Sequence, residues 1–93
     1  MTQREGNRLL LDGELTVDTV ARVLAGTPPQ DRDGVEVVDL AGVTEVDSAA
    51  VALAITWLRE ARAAGRTIRF ENLPPAMAKL ARLYAVADLI PGA

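Results

Sequence analysis

The chain contains neither cysteine nor histidine. The absence of cysteine excludes disulfides and thiolate chemistry, and it suits the reducing cytoplasm. None of the motifs GxxxxGKS/T, GxGxxG, GxSxG and HExxH occurs in the sequence, so hydrolytic metal sites, catalytic triads and phosphate-binding loops lack their reactive parts. We therefore expect a protein that is not an enzyme, with no catalytic residue, no cofactor and no metal site.

Basic and aromatic residues are too few for a nucleic-acid surface. The 93 residues include one Trp, one Tyr and one Phe, and the net charge is −3. Proteins that bind nucleic acids gain most of their affinity from Lys and Arg that neutralise phosphates. No stretch approaches the roughly 18 apolar residues that a membrane span needs, and the N-terminus has no apolar signal region. We expect a cytoplasmic protein that binds no nucleic acid and does not insert directly into a membrane.

Length and hydrophobic content predict a single domain spanning residues 1–93. Of these residues 49% are hydrophobic, enough to fill a compact core. Strand-like and helix-like patterns alternate along the chain, which indicates βαβ crossovers. We predict an α/β fold with a small, mainly parallel sheet, an N-terminal hairpin and three helices. The predicted elements are hairpin strands over 2–4 and 8–12 with a turn at Gly6 and Asn7, a helix from the N-cap Thr16 to Gly26, a strand over 35–40, a helix over 48–64, a strand over 67–72, and a helix from Pro75 onward.

Two apolar patterns predict how these elements pack. The nearly continuous apolar run of strand 35–40 is typical of a strand that helices cover on both faces. The first helix is predicted to face the core with residues at helical spacing. These residues are Val17, Val20, Ala21 and Leu24.

The helix that begins near Ser48 has a wide apolar surface. Its apolar residues spread over roughly 200° of arc, about twice the stripe that packing on a sheet requires. One explanation is that a partner protein covers part of this helix. The other is that its alanines simply favour helix formation and that Trp57 closes the edge of the core.

A short polar segment separates strand 35–40 from this helix. Glu45, Asp47 and Ser48 would lie at the carboxyl end of the strand, where open α/β sheets usually place functional residues. Asp47 or Ser48 could simply cap the helix. A phosphate on Ser48 would meet the helix N–H groups but also two carboxylates, so it could act as a disruptive switch. Asp39, Glu45 and Asp47 could also hold a hard cation, although solvated surface charge explains them more simply.

The segments "LDGELT" and "VVDLAGVTEVDSAAVALAITWL", with the order of the predicted elements, resemble the STAS domain, the module named for sulfate transporters and anti-sigma-factor antagonists. The resemblance covers Leu9 to Pro91 and implies a STAS-like fold. Its most specific part is the Asp-Ser pair at 47 and 48 followed by small residues, where this chain has Ala50 in place of the usual Gly. The closing segment "LPPAMAKLARLYAVADLIP" is similar to that of the MlaB-like branch of the family.

The resemblance implies a non-catalytic subunit that binds the ABC-type ATPase of a phospholipid transporter and supports its work in maintaining lipid asymmetry. Such a subunit would be cytoplasmic and would meet the membrane only through the transporter complex. The alternative within the family is an anti-sigma-factor antagonist, in which a serine kinase phosphorylates Ser48 and the unmodified form binds that kinase. A third class is a small-molecule or nucleotide-binding module. In the transport interpretation, the residues that form the partner interface with Ser48 are Glu45, Asp47, Ala49, Ala50, Leu53 and Trp57.

Overall fold

The structure, a computed structural model, describes residues 2–90; Met1 and residues 91–93, the ends of the predicted domain, lie outside the described residues. Within 2–90 the chain forms one sheet in the order β1-β2-β3-β4, antiparallel between β1 and β2 and parallel elsewhere. This arrangement confirms the predicted fold class. The elements are β1 (Thr2–Glu5), β2 (Arg8–Leu15), α1 (Val20–Gly26), β3 (Val37–Val46), α2 (Ser48–Ala63), β4 (Arg69–Glu71) and α3 (Pro75–Leu83), with short 3-10 turns at Pro29–Asp31 and Ala87–Leu89.

The N-terminal hairpin follows from its two-residue turn. Glu5 pairs with Arg8, so Gly6 and Asn7 alone connect β1 to β2. Gly6 takes a positive φ of 61°, which glycine adopts without steric cost. The hairpin is confirmed, although only Gly6 of the two turn residues has a positive φ and β2 continues beyond its predicted end.

All three helices pack on the same face of the sheet. Because β2, β3 and β4 are neighbours in chain order, right-handed crossovers place both connecting helices on one side. A cluster of aliphatic and aromatic side chains fills the space between the helices and the sheet. Its members include Val38 and Leu40 of β3 and Met77 of α3, each no more than 1% exposed. The fold therefore has two layers.

The other face of the sheet carries charged side chains instead of helices. Val37 is buried but stands outside the core cluster, between Arg8 of β2 and Arg69 of β4 in the strand register. Two residues further along on the same face, Asp39 and Glu71 accept hydrogen bonds from Arg8 at 3.0 and 2.7 Å. The prediction that helices cover this strand on both faces is therefore wrong. Long charged side chains, whose aliphatic stems can shield apolar surface, occupy the second face.

The first helix is shorter than predicted. It begins at Val20 with Thr19 as its N-cap residue, so Thr16 does not cap it. Instead, Thr19 Oγ1 accepts a hydrogen bond from the Thr16 N–H (2.9 Å) and donates one to a β2 carbonyl (2.8 Å), which forms a turn before the helix. The predicted apolar face is consequently wrong in part, because Val23 is the buried residue of α1 whereas Val17 is 73% exposed.

β3 is longer than predicted because it continues through the segment that resembles a loop. β4 pairs only with Val37–Asp39 of β3, whereas β2 pairs with β3 as far as Val46. Two bulges, each with one extra residue in β3, interrupt this pairing. Gly42 lies at the first, where an added Cβ would stand 2.8 Å from the Asp12 Cβ. Because bulges bend a strand and turn its side chains, they set the direction in which β3 enters α2.

The wide apolar arc of α2 is covered by the chain itself. The helix packs on the sheet and contacts both α1 and α3. Ile55 and Leu58, at the edge of the arc, are partly buried against the same core cluster. The arc is thus explained by packing within the chain, with Trp57 at the core. The buried residues of α2 are Ala50, Val51, Leu53, Ala54, Trp57 and Ala61.

Candidate functional site

Asp47 joins two segments at the carboxyl end of the sheet. It is the N-cap residue of α2, and its Oδ1 accepts a hydrogen bond from the Ala49 N–H (2.8 Å). Its Oδ2 accepts a second one from the N–H of Val17 (2.9 Å), in the turn between β2 and α1. The carboxylate satisfies two backbone donors and lies at the positive end of the helix dipole. Asp47 therefore fixes Val17 beside the start of α2.

Ser48 is exposed at the first position of α2 and does not cap the helix. Within residues 2–90 its hydroxyl makes no hydrogen bond. Two backbone amides close to Ser48 are already used: that of Ala49 by the Asp47 carboxylate (2.8 Å) and that of Ala50 by the Asp47 carbonyl (3.0 Å). The hydroxyl of Ser48 is therefore available for contact with another molecule.

The surroundings of Ser48 combine acidic side chains with one protruding apolar residue. Glu45 is exposed and lies opposite the exposed Glu14 in the register of β3 and β2, while Ala49 is half-buried. Val17 is 73% exposed. The helical spacing of Val17 predicted that it faces the core, so the sequence did not indicate that Val17 belongs to this surface. An apolar centre with a polar rim is the general arrangement of protein–protein interfaces.

Three residues predicted for the interface are buried. Ala50 is 0% exposed, and Leu53 and Trp57 are each 3% exposed. All three belong to the core cluster, so they hold α2 on the sheet and present no surface to a partner. This corrects the predicted site. The predicted residues that remain accessible are Glu45, Asp47, Ser48 and Ala49.

Trp57 holds α2 in place together with a buried cation. The guanidinium carbon of Arg32 lies 5.4 Å from the centroid of the Trp57 ring. Arg32 is only 8% exposed, and its Nη2 lies 2.8 and 2.6 Å from the two carboxylate oxygens of Glu60. A buried charge is tolerated when it is paired in this way. The indole N–H of Trp57 is itself buried and has no hydrogen-bond partner among residues 2–90.

Asp39 lies apart from the carboxylates with which a cation site was considered. Its carboxylate accepts hydrogen bonds from the Asn72 side chain (3.0 Å) and the Ala41 N–H (2.9 Å). These bonds, that of Asn72 above all, hold the pKa of Asp39 below its ordinary value. The structure does not bring Asp39 together with Glu45 and Asp47. Between residues 2 and 90, no group of three or more His, Cys, Asp or Glu side chains is placed to hold a metal ion.

Comparison with known proteins identifies the family of this chain. The family model described as "Mlab, STAS domain" matches residues 1–91. The chain therefore belongs to the STAS family. Within that family it is most like MlaB. STAS domains mediate protein–protein interactions and are generally non-catalytic.

Solved structures add a likeness of fold. One of them, described as "Crystal Structure Analysis of Mglu", is 26% identical to this chain with a TM-score of 0.57. The match covers 81% of this chain but only 19% of that one, so the likeness concerns a small part of a longer protein. No curated protein matches the chain. Of the helices in the described range, none combines the length and the apolar character that crossing a bilayer requires.

Proposed function

We propose that this protein is a STAS subunit that binds the ATPase of a phospholipid-transport ABC complex, as MlaB-like proteins do. It would support the assembly or activity of that ATPase without catalysing a reaction itself. The observation that carries the proposal is the surface at the start of α2, where Asp47 holds the exposed Val17 beside the unbonded Ser48 hydroxyl. The match to the MlaB type of STAS domain supports the choice of partner.

The geometry of this surface favours a protein partner. Val17 and Ser48 lie on segments joined by the Asp47 carboxylate, with bonds of 2.8 and 2.9 Å, so the surface is ordered before binding. A preorganised surface loses less conformational entropy on association. The rim carries the exposed carboxylates of Glu14 and Glu45, so a further carboxylate at this surface would crowd like charges together. In this proposal the protein is cytoplasmic, and the transporter complex holds it at the membrane.

The identity of the partner is tested by co-purification from the native cells, with mass spectrometry of the recovered proteins. We expect the wild-type protein to recover an ABC-type ATPase and its permease, and Ser48→Glu to recover less of both because it adds negative charge to the contact. The matched control is Thr67→Glu, which places the same charge at an exposed hydroxyl residue beyond the opposite end of α2. Recovery of neither transporter protein by the wild type would reject the proposed partner.

A second candidate function, an anti-sigma-factor antagonist, is favoured by one observation. The Ser48 hydroxyl is exposed and unbonded, as a phosphoacceptor must be. Against it, the nearby amides of Ala49 and Ala50 are already occupied, so fewer donors remain to stabilise a phosphate. Recovery of a serine kinase or a sigma-factor regulator in the same co-purification would favour this function over the transport role.

A further inference from the structure

The charges of this acidic protein are unevenly distributed over its surface. Although the net charge is −3, the exposed positions of α2 and α3 carry four cations and no carboxylate. α2 and α3 contact each other on the same face of the sheet, so their exposed sides belong to one surface. The one carboxylate of α2, Glu60, is half-buried at the flank and paired with Arg32. The four exposed cations are Arg59, Arg62, Lys79 and Arg82.

The end of α3 adds protruding apolar side chains to this surface. Leu83 is 74% exposed, Tyr84 is 51% exposed, and Leu89 in the following 3-10 turn is 54% exposed. The 3-10 turn contacts α3, so Leu89 belongs to an element that lies beside this helix. None of them belongs to the core cluster, so packing within the described residues does not account for apolar side chains at these positions.

A tight backbone turn holds this apolar cluster outward. Ala85 takes a left-handed φ of 57°, and the N–H of Val86 donates to the carbonyl of Ala81 (2.8 Å). This bond closes the helix in the motif that usually has glycine at the left-handed position. Val86 thereby returns toward the core, while Leu83 and Tyr84 stay outside it.

We propose that the surface formed by the exposed side of α2 and α3 and the end of α3 binds peripherally to an anionic lipid bilayer. The cations would contact lipid phosphates, while Leu83 and Leu89 would reach the boundary between headgroups and acyl chains. Tyrosine suits that boundary because one end of its ring is apolar and the other is polar. Cations near an anionic leaflet and apolar side chains beside them are the two contributions that peripheral membrane binding combines.

The chemistry of the surface favours lipid over an acidic protein. Leu83 and Leu89 protrude at a helix end, beside long cationic side chains that adapt to mobile headgroups. The contact is expected to be weak and reversible, since Asp88 opposes the cations and no helix of the described residues could span the bilayer. This inference is independent of the partner site, because that site lies at the opposite, N-terminal end of α2.

The test is sedimentation of the purified protein with vesicles. One set consists of phosphatidylcholine alone, and the other contains equal parts of phosphatidylglycerol and phosphatidylcholine. We expect binding to the anionic vesicles only, weakened by added salt. Leu83→Asp and Arg82→Glu should each reduce this binding by at least about fivefold, given the charge and apolar contributions removed.

Matched controls separate this surface from the rest of the molecule. Val17→Asp changes an apolar residue of equal exposure, 73% against 74% for Leu83, and Arg22→Glu reverses an exposed cation on α1. Both should bind anionic vesicles as the wild type does. Absence of binding to anionic vesicles, equal binding to neutral ones, or unchanged binding of Leu83→Asp and Arg82→Glu would each overturn the proposal. Loss of an acidic protein partner by these two variants, without vesicle binding, would assign the surface to that protein.

Discussion

At the residue scale, the carboxylate of Asp47 is the side chain that makes the candidate site. It accepts hydrogen bonds from the N–H groups of Ala49 and Val17, which belong to different segments of the chain. The sequence left open whether Asp47 or Ser48 caps α2, because both residue types lead the preference for N-caps. The contact with Val17 could not be predicted, since it depends on a turn between β2 and α1 that looked like the start of a helix.

Replacement of Asp47 by Ala should lower the free energy of unfolding by about 1–3 kcal/mol, because it removes the cap of α2 and the hydrogen bond from Val17. The measurement is urea denaturation. The control, Ser48→Ala, removes a hydroxyl that is exposed and unbonded, so it should change stability by less than about 0.5 kcal/mol. Equal stability of the two variants would show that Asp47 does not hold the site together.

Replacement of Trp57 by Ala should lower the free energy of unfolding by about 3–5 kcal/mol, because Trp57 is 3% exposed and packs under the Arg32 guanidinium. Unfolding is measured by far-UV circular dichroism, because the variant lacks the only Trp of the sequence and therefore its fluorescence. Tyr84→Ala, which truncates an aromatic residue that is 51% exposed, is the control and should be nearly neutral. A stability of Trp57→Ala close to that of this control would contradict the assignment of Trp57 to the core.

At the scale of elements, the sequence predicts those that carry clear end signals. α2 begins after the polar segment at Asp47, and it ends where Gly65 takes a φ of 71°. β3 was predicted too short, because Ala41 and Gly42 interrupt its apolar run as a turn would. Only the pairing with β2 shows that the strand continues, and bulges leave no reliable pattern in a sequence.

Replacement of Gly42 by Ala should destabilise the fold by about 1–3 kcal/mol. Its Cβ would stand 2.8 Å from the Asp12 Cβ and 3.1 Å from the Leu11 carbonyl oxygen, so the paired strands would have to separate. Gly26→Ala is the control: an added Cβ there meets no atom of residues 2–90 within 4 Å, so this variant should be neutral or slightly stabilising. Thermal denaturation of both variants measures the difference, and a Gly42→Ala protein as stable as Gly26→Ala would contradict the close approach of the strands.

The ionic network on the open face of the sheet makes stability depend on pH. The pKa of Asp39 is lowered chiefly by the Asn72 side chain and that of Glu71 chiefly by Arg8. Because the unfolded chain binds these protons more readily, the network stabilises the fold above the ordinary carboxyl pKa of about 4. That stabilisation is lost as the pH falls through the lowered values of the folded state. The sequence did not predict this network, because its members come from three strands and the loop after β4.

Replacement of Asp39 by Asn should therefore make the loss of stability in acid less steep. The measurement is the urea midpoint at a series of pH values below neutrality. The exposed Asp33 provides the control, since Asp33→Asn should keep the steepness of the wild type. An acid dependence that is the same in Asp39→Asn as in the wild type would remove Asp39 from this account.

At the scale of the whole molecule, two surfaces of opposite character lie at different ends of the helical layer. The start of α2 is acidic around Val17, whereas the exposed side of α2 and α3 is basic and ends in Leu83. The sequence predicts the sheet, the hairpin and the helices, together with the polar residues at the start of α2. It could not predict which apolar residues stay exposed, because Val17, Leu53 and Trp57 all fit helical spacing and only packing separates them.

The central claim is that the ATPase binds around Val17 and Ser48. Its most direct test is isothermal titration of the co-purified ATPase with the wild type, Val17→Asp and Leu83→Asp, which alter residues of equal exposure, 73% and 74%. The account predicts that Val17→Asp weakens binding at least about tenfold, because it places an unpaired charge in the apolar centre of the contact, while Leu83→Asp binds like the wild type. Wild-type affinity of Val17→Asp, or a loss of affinity confined to Leu83→Asp, would contradict it.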